Sequence, residues 1–317
     1  MTDFLGDAQK VLETEALVAG DARHVGRESE GGWIMTTDTM GGRVCLVTGC
    51  TSGIGKVTAV ELARRGAVVV MLCRNRTRGE AVQAEIKAAS PDARVDLIVA
   101  DLSELSEVRR AANAFRQKYA ELHVLINNAG GINAARKVTA DGLEYTFAAN
   151  YLGPFLLTTL LLEELKAGAP ARVINVSSLA HTQARIDFAD LQGAQRYRFM
   201  KAYGQSKLAQ IYFTYELAEQ LKGTGVTVNA LHPGMVASNF NDGMTGVPHF
   251  IGGLIYATMG ISVEKGAETP LYLATAPEVE GVSGQYFADC KAVPSSKRSY
   301  DVATRQRLWT ISEELIG

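Results

Sequence analysis

An open, doubly wound α/β sheet is the fold class the sequence predicts, and three observations predict it. Short β-branched apolar runs recur from residue 44 to residue 287, segments of helical period lie between them, and a glycine-rich turn joins the first run to the first helical segment. Runs that are apolar on both faces suit strands buried inside a parallel sheet. Strand and helix alternating along the whole chain place helices on both faces of that sheet.

Val44–Thr48, the first run, is too short for a helix and ends at Gly49. Val68–Leu72, Val95–Val99, Val124–Ile126, Val173–Val176, Val226–Leu231 and Gln285–Phe287 repeat the type. Helical period fills Thr58–Arg65, Arg78–Ala89, Glu104–Tyr119, Leu143–Lys166, Leu208–Lys222 and a C-terminal segment around Ala303–Leu315. No second pattern interrupts residues 42–317, so a single domain of about seven strands is expected there. Residues 1–41 differ: Asp3, Asp7, Glu13, Glu15, Asp21, Glu28, Glu30 and Asp38 outnumber the bases, and Val11, Leu12, Ala16, Leu17 and Val18 are the one apolar grouping. An acidic, mobile or loosely docked leader is expected, or else a short amphipathic helix that packs this apolar grouping on the core.

Composition narrows the function. The chain of 317 residues carries 32 Lys+Arg against 34 Asp+Glu, a formal charge of −2, with 47% hydrophobic and 21% charged residues. These are ordinary globular values. A near-neutral balance and a pI of about 6.2 argue against nucleic acid as a partner. Cys45, Cys50, Cys73 and Cys290 form no C-x-x-C pair, and the five His are scattered, so no metal site is expected and the thiols read as free, in a reducing compartment. No apolar run reaches the roughly 20 residues of a membrane span. Asp3 and Asp7 open a terminus without a secretory signal pattern. A cytoplasmic protein, monomer or homodimer, is the expectation.

Thr48-Gly-Cys-Thr-Ser-Gly-Ile-Gly55 follows the first strand and enters a helix. Gly49, Gly53 and Gly55 allow a tight turn and close backbone approach, and Thr51, Ser52 and Ile54 complete a cradle at a helix N-terminus, where free N–H groups meet a pyrophosphate. An acid at the end of the second strand would accept the adenosine ribose 2′-hydroxyl and repel a 2′-phosphate. Cys73-Arg74-Asn75-Arg76 stands there instead, and the guanidinium of Arg74 can hold the phosphate. NADP(H) is therefore favoured over NAD(H).

Tyr203-Gly-Gln-Ser-Lys207 stacks a phenol and an ammonium at i and i+4 on one helix face. A free Tyr titrates near 10, and a fixed cation lowers that value by favouring phenolate. Tyr203 then serves as general acid or base for a carbonyl–alcohol pair, while Lys207 also reaches the nicotinamide ribose. Ser177 and Ser178 close the fifth run at its carboxyl edge, where a hydroxyl can hold the substrate oxygen. Tyr197-Arg-Phe-Met-Lys201 has the same spacing. Tyr203 is preferred because a long amphipathic helix follows it, whereas Tyr197 lies in a charged stretch that reads as loop.

With these residues in hand, the chain from about Gly42 onward resembles the short-chain dehydrogenases/reductases. Thr48-Gly49-x-x-x-Gly53-Ile54-Gly55, Asp101-Leu102, Asn127-Asn128-Ala129-Gly130, Asn150, Ser178, Tyr203/Lys207 and His232-Pro233-Gly234 carry the likeness. It implies a Rossmann-type doubly wound parallel sheet of order 3-2-1-4-5-6-7. It implies that Asp101 and Asn128, with neighbouring Leu102, Ala129 and Gly130, lie along the cofactor, and that Pro233, Gly234 and Val236 border the nicotinamide. It implies a tetrad of Asn150, Ser178, Tyr203 and Lys207, with Asn150 supporting a proton relay. Cys73-Arg74-Asn75, Asn175-Val-Ser-Ser-Leu-Ala-His181 and Gly284-Gln-Tyr-Phe-Ala-Asp-Cys290 look like the retinol dehydrogenase group, as does the long Ser178–Tyr203 spacing, which favours Ser178 over Ser177.

Pro154 has no N–H to give the carbonyl of Asn150, which is then free to hold a water on a relay from Lys207, or else Pro154 merely kinks the helix for packing. Met235–Ile261 is apolar and Gly-interrupted (Phe240, Met244, Phe250, Leu254, Ile255), which suits closure over a lipophilic aldehyde, ketone or alcohol, or packing on the core or a second subunit. His181 and His232 read as structural, since no Gly-x-Ser-x-Gly turn accompanies Ser178. The alternatives to an NADP(H)-dependent oxidoreductase are a redox-sensing module that binds NADP(H) without turnover, and a reductase of another ring substrate like the related protochlorophyllide reductases.

Overall fold

Strands that are apolar on both faces end up covered on both faces. The computed structural model describes residues 40–236 and 261–317. All residues of β1 (Val44–Thr48) and β2 (Val68–Cys73) are buried. With β3 (Val95–Val99), β4 (Val124–Asn127), β5 (Ala171–Val176), β6 (Val226–Leu231), β7 (Tyr286–Ala288) and β8 (Lys291–Ala292) they form one eight-stranded sheet in the order 3-2-1-4-5-6-7-8. Every pairing is parallel except β7 with β8. The expected order is observed, with a short antiparallel edge strand added.

Alternation along the strands divides the core in two. Val44, Leu46, Val70 and Leu72 face helices α3 (Leu105–Arg116), α4 (Gly153–Leu160), α5 (Phe199–Gln220) and α7 (Val302–Ile316). Cys45, Val47, Val69 and Met71 face α1 (Gly53–Arg64), α2 (Arg76–Ala89) and α6 (Val263–Thr275). The sequence pattern did not single out α6, which carries Pro270 in its interior and starts on Ser262, whose side chain accepts from the N–H of Lys265.

The expected helical run Leu143–Lys166 is interrupted. A helical turn at Tyr145–Phe147 leads into a π-turn at Ala148–Leu152, then α4, then a short helix at Leu162–Ala167. The π-turn sits just before Pro154, in the first turn of α4, where the chain loses a backbone donor. Gly153 fits there because a Cβ would lie 2.0 Å from the Leu102 carbonyl oxygen.

From β1 the chain crosses to β2 and β3 on one side, and β4 then returns on the other side of β1. The connections that follow β1 and β4 therefore lead away in opposite directions, which is where open α/β sheets leave a crevice at their carboxyl edge. Among the described residues no helix is long and apolar enough to cross a membrane, and no group of His, Cys, Asp and Glu is placed to hold a metal ion. The acidic leader up to residue 39 and residues 237–260 of the apolar stretch lie outside the described residues.

Candidate active site

The glycine turn is sewn to the turn after β4. Thr48 Oγ1 donates to the Ile126 carbonyl (3.2 Å) and accepts from the N–H groups of Asn128 (3.0 Å) and Ala129 (2.9 Å). Asn128 Nδ2 in turn donates to the carbonyls of Thr48 (2.9 Å) and Gly49 (3.2 Å). Gly49 has φ +68°, and a Cβ on it would lie 2.7 Å from the Ala129 Cα; at Gly55 a Cβ would lie 2.3 Å from the Gly49 carbonyl oxygen. Only glycine allows backbones this close.

Helix α1 leaves its N-terminus open. Its N-cap Ser52 makes no side-chain cap, and no acid stands in the first turn. The unpaired N–H groups and the positive end of the helix dipole thus face the crevice. A cleft of about 650 Å³ runs along this edge of the sheet. Gly49 and Thr51 to Gly55, Arg74, Asp101 and Leu102, Asn128 to Gly130, Tyr203 and Lys207, and Pro233, Gly234 and Val236 all border it, so every residue expected at the cofactor is brought to one cleft. The uncapped N-terminus, the glycines and the guanidinium group at one end fit a phosphate-bearing dinucleotide.

At the β2 end, Arg74 donates to the Tyr145 hydroxyl and lies 3.6 Å from the Asp101 carboxylate. Asp101 is itself fixed by Ser103, whose N–H (2.9 Å) and Oγ (2.7 Å) both donate to it. Arg78 borders the same end of the cleft, and Asn75 caps α2 by accepting from its N–H. Tyr145 was not anticipated, because a single Tyr at the start of a helical run carries no motif. Burial, and then the Asp101 charge, push its hydroxyl above the usual value.

At the other end, α5 begins at Phe199 rather than at Leu208 and takes Tyr203 and Lys207 into one helix. The Lys207 Nζ lies 5.8 Å from the Tyr203 ring centroid. Lys207 is buried, and its Nζ donates to the Val176 carbonyl (2.8 Å) and to Gln210 Oε1 (3.1 Å). Burial lowers its pKa to about 7. Gln210 was missed, although it follows Lys207 by three residues and so shares its helix face.

The two serines separate cleanly. Ser177 Oγ donates to the Lys207 carbonyl (2.8 Å) and ties β5 to α5. Ser178 starts the 3₁₀ turn Leu179–Gln183, where its Oγ accepts from the Ala180 N–H (3.2 Å), and it borders the cleft. Asn150 is fully buried behind the cleft: Nδ2 donates to the Gly131 carbonyl (2.9 Å) and Ser206 Oγ (3.0 Å), and Oδ1 accepts from the Gly131 N–H (2.9 Å). A Cβ on Gly130 would lie 3.3 Å from Asn150 Oδ1 and 3.4 Å from Lys207 Nζ, so these three residues meet.

The competing pair does not converge. The Tyr197 hydroxyl donates to the Asn133 carbonyl (2.9 Å), while Lys201 Nζ bonds Asp187 (2.7 Å). The histidines hold backbone. His181 Nδ1 donates to the Ser178 carbonyl (2.8 Å) and its Nε2 accepts from the Ser296 N–H (3.1 Å). His232 Nδ1 accepts from the Gly234 N–H (3.1 Å). Burial lowers both to about 4, so both are neutral at physiological pH. Ile132 and Ala180 pack on Tyr203, with Phe199 and Met200 against them, giving an apolar surface beside the phenol.

Comparison with known proteins agrees with this geometry. Residues 43–245 match the short chain dehydrogenase family. Retinol dehydrogenase 12 of Mus musculus is 45% identical over 289 residues, covering 90% of each chain. An uncharacterized protein from Mycobacterium paratuberculosis superposes with a TM-score of 0.71 at 34% identity, covering 90% of this chain and 98% of that one. The Pseudomonas aeruginosa RhlG/NADP active-site complex superposes with a TM-score of 0.64 at 27% identity, covering 80% and 97%. The chain belongs to the short-chain dehydrogenase family, within its retinol dehydrogenase-like group, and is an oxidoreductase acting on CH–OH groups.

Proposed function

We propose that the chain is an NADP(H)-dependent oxidoreductase that interconverts a lipophilic aldehyde or ketone with its alcohol. The buried ammonium of Lys207 beside the Tyr203 ring carries this reading. A bound nicotinamide supplies or accepts the hydride. Tyr203 gives the carbonyl oxygen its proton in reduction and takes the hydroxyl proton in oxidation. Lys207 lowers the phenol's pKa, because a fixed positive charge favours phenolate over phenol. The Val176 carbonyl and Gln210 Oε1 favour the charged lysine against the burial that opposes it.

Ser178 orients the substrate oxygen, since among the described residues its Oγ accepts from the Ala180 N–H and its O–H remains to donate. Asn150 acts from behind. Its side chain is committed to Gly131 and Ser206, so its part in a relay falls to the backbone carbonyl that Pro154 leaves without a donor. A water held there passes protons between Lys207 and solvent.

Arg74 and Arg78 at the end of β2 support a 2′-phosphate on the ribose, and no acid replaces them there. The NADP complex of the RhlG relative agrees with this preference. The apolar surface of Ile132, Ala180 and Met200 beside the phenol, and retinol in the names of the relatives, support a lipophilic substrate. A panel of short charged, aromatic, long-chain and isoprenoid aldehydes, assayed with NADPH and with NADH, tests the proposal. Higher kcat/KM for apolar substrates with NADPH is expected; preference for short charged substrates, or for NADH, contradicts it.

A further inference from the structure

Arg74 lies on the surface yet is tied across the cleft. It follows β2, and its side chain is 69% exposed. A long side chain so placed keeps many rotamers unless something holds it. Two groups hold this one among the described residues, and both meet the same nitrogen. Nη1 donates to the Tyr145 hydroxyl and lies 3.6 Å from Asp101 Oδ2, an ion pair without a hydrogen bond. Neither contact uses Nε or Nη2, the edge with which a guanidinium binds two oxygens of one phosphate. β2 and β4 flank β1, and Tyr145 follows β4, so this contact bridges the two sides of the crevice.

Tyr145 is the firmer partner. Its N–H donates to the Lys137 carbonyl (3.0 Å). Glu144, 2% exposed, caps the turn by accepting from the N–H groups of Thr146 (2.9 Å) and Phe147 (2.7 Å), both buried. The Tyr145 side chain is half-buried and borders the cleft. Its hydroxyl accepts from Arg74 while neutral, so it aims the cation without cancelling the charge. Burial, which raises the phenol's pKa, keeps it neutral. Asp101 acts in the opposite way. Its Oδ1 is taken by Ser103, but Oδ2 can draw the guanidinium into a charge-neutral pair and occupy its fork.

We propose that Tyr145 is a positioning residue that sets the preference for NADP(H) over NAD(H). Its hydroxyl holds the Arg74 guanidinium off Asp101 and leaves Nε and Nη2 for the adenosine 2′-phosphate. The inference rests on the NADP(H) site proposed above. NAD(H) carries a hydroxyl where NADP(H) carries that phosphate, so loss of the Tyr145 oxygen acts on NADP(H) alone. Without that oxygen Arg74 regains its rotamers and is drawn to Asp101, and both effects oppose phosphate binding. Arg78 borders the same end of the cleft, so the preference is reduced rather than reversed.

The test is calorimetric titration of the full chain with NADP⁺ and with NAD⁺, for wild type, Tyr145→Phe, Arg74→Ala and the double variant. Phe keeps the ring and removes one oxygen, and a thermal melt checks that each variant folds. Tyr145→Phe is expected to weaken NADP⁺ about fivefold or more and NAD⁺ by less than about twofold. Arg74→Ala weakens NADP⁺ at least as much, and adding Tyr145→Phe to it changes neither affinity, because the two residues act as one. Equal weakening of both nucleotides by Tyr145→Phe assigns the residue to packing and overturns the proposal. So does a full Tyr145→Phe effect in the Arg74→Ala background. Wild-type NADP⁺ affinity in Tyr145→Phe, with loss in Arg74→Ala, refutes the role of Tyr145 and leaves the cofactor reading standing. An NADP⁺ preference that survives Arg74→Ala unchanged refutes the reading of Arg74 itself, and the inference with it.

Discussion

At the residue scale the site turns on a buried lysine. Its pKa of about 7 means that the free enzyme loses the charge beside Tyr203 as pH rises through neutrality. The kcat/KM for NADPH, which reports the free enzyme, is expected to fall as pH rises through about 7. A profile flat from pH 6 to 9 contradicts the role given to Lys207. The same burial fixes a stability sign. The unfolded lysine keeps its proton up to its ordinary value near 10.4, so between 7 and that value the unfolded state binds more protons and stability rises with pH. The penalty is full below about 7. Lys207→Met should therefore abolish turnover yet raise the urea midpoint, and raise it more at pH 6 than at pH 9.

Of two equally spaced Tyr–Lys pairs, the structure brings Tyr203 and Lys207 to the cleft and parts Tyr197 from Lys201, and the amphipathic helix downstream of Tyr203 had pointed to that pair. Tyr197→Phe removes a hydrogen bond to the Asn133 carbonyl and should cost about 1 kcal/mol of stability while leaving kcat largely intact. Tyr145 and Gln210 were not legible. Each acts through one long-range or helix-face contact, with Arg74 or with Lys207, that no local pattern encodes.

At the scale of elements, the sequence located the strands well because burial on both faces leaves an unbroken apolar run. It did less well where the backbone departs from regularity. The π-turn before α4 was visible only as Pro154 inside a helical run, and Pro154→Ala, which restores a donor for the Asn150 carbonyl, is expected to alter the pH–rate profile. An unchanged profile assigns that turn to packing alone. The β7–β8 hairpin was missed for a specific reason. Its two turn residues, Asp289 and Cys290, have φ +46° and φ +60°, the conformation that two-residue hairpins usually meet with Asn-Gly. Cys290→Gly relieves one of these positions and should raise stability by about 1 kcal/mol, read from chemical denaturation.

At the scale of the whole molecule, the C-terminal segment braces the catalytic side. Trp309 of α7 packs against Phe155 of α4 (4.9 Å between centroids) and Phe213 of α5 (5.9 Å). Ser296, just ahead of α7, donates to the ring of His181, whose other nitrogen holds the Ser178 carbonyl. The crevice arises from strand order, since the connections after β1 and β4 lead away in opposite directions; alternation and the glycine turn made the doubly wound sheet legible, while its strand order came from the family resemblance. The pairing of His181 with a distant backbone N–H was not legible. His181 and His232, lowered to about 4, are neutral in the fold, but their unfolded forms take up protons near 6.5. Stability is thus complete above about 6.5 and is lost as pH falls toward 4, and His181→Asn should flatten that slope in thermal melts.

Proton transfer by Tyr203 is decided by the loss of NADPH absorbance in the presence of an apolar aldehyde, for wild type and Tyr203→Phe. Tyr203→Phe should lower kcat by about a hundredfold or more while binding NADPH as tightly as wild type. A Tyr203→Phe enzyme that turns over at the wild-type rate is incompatible with the phenol as proton donor.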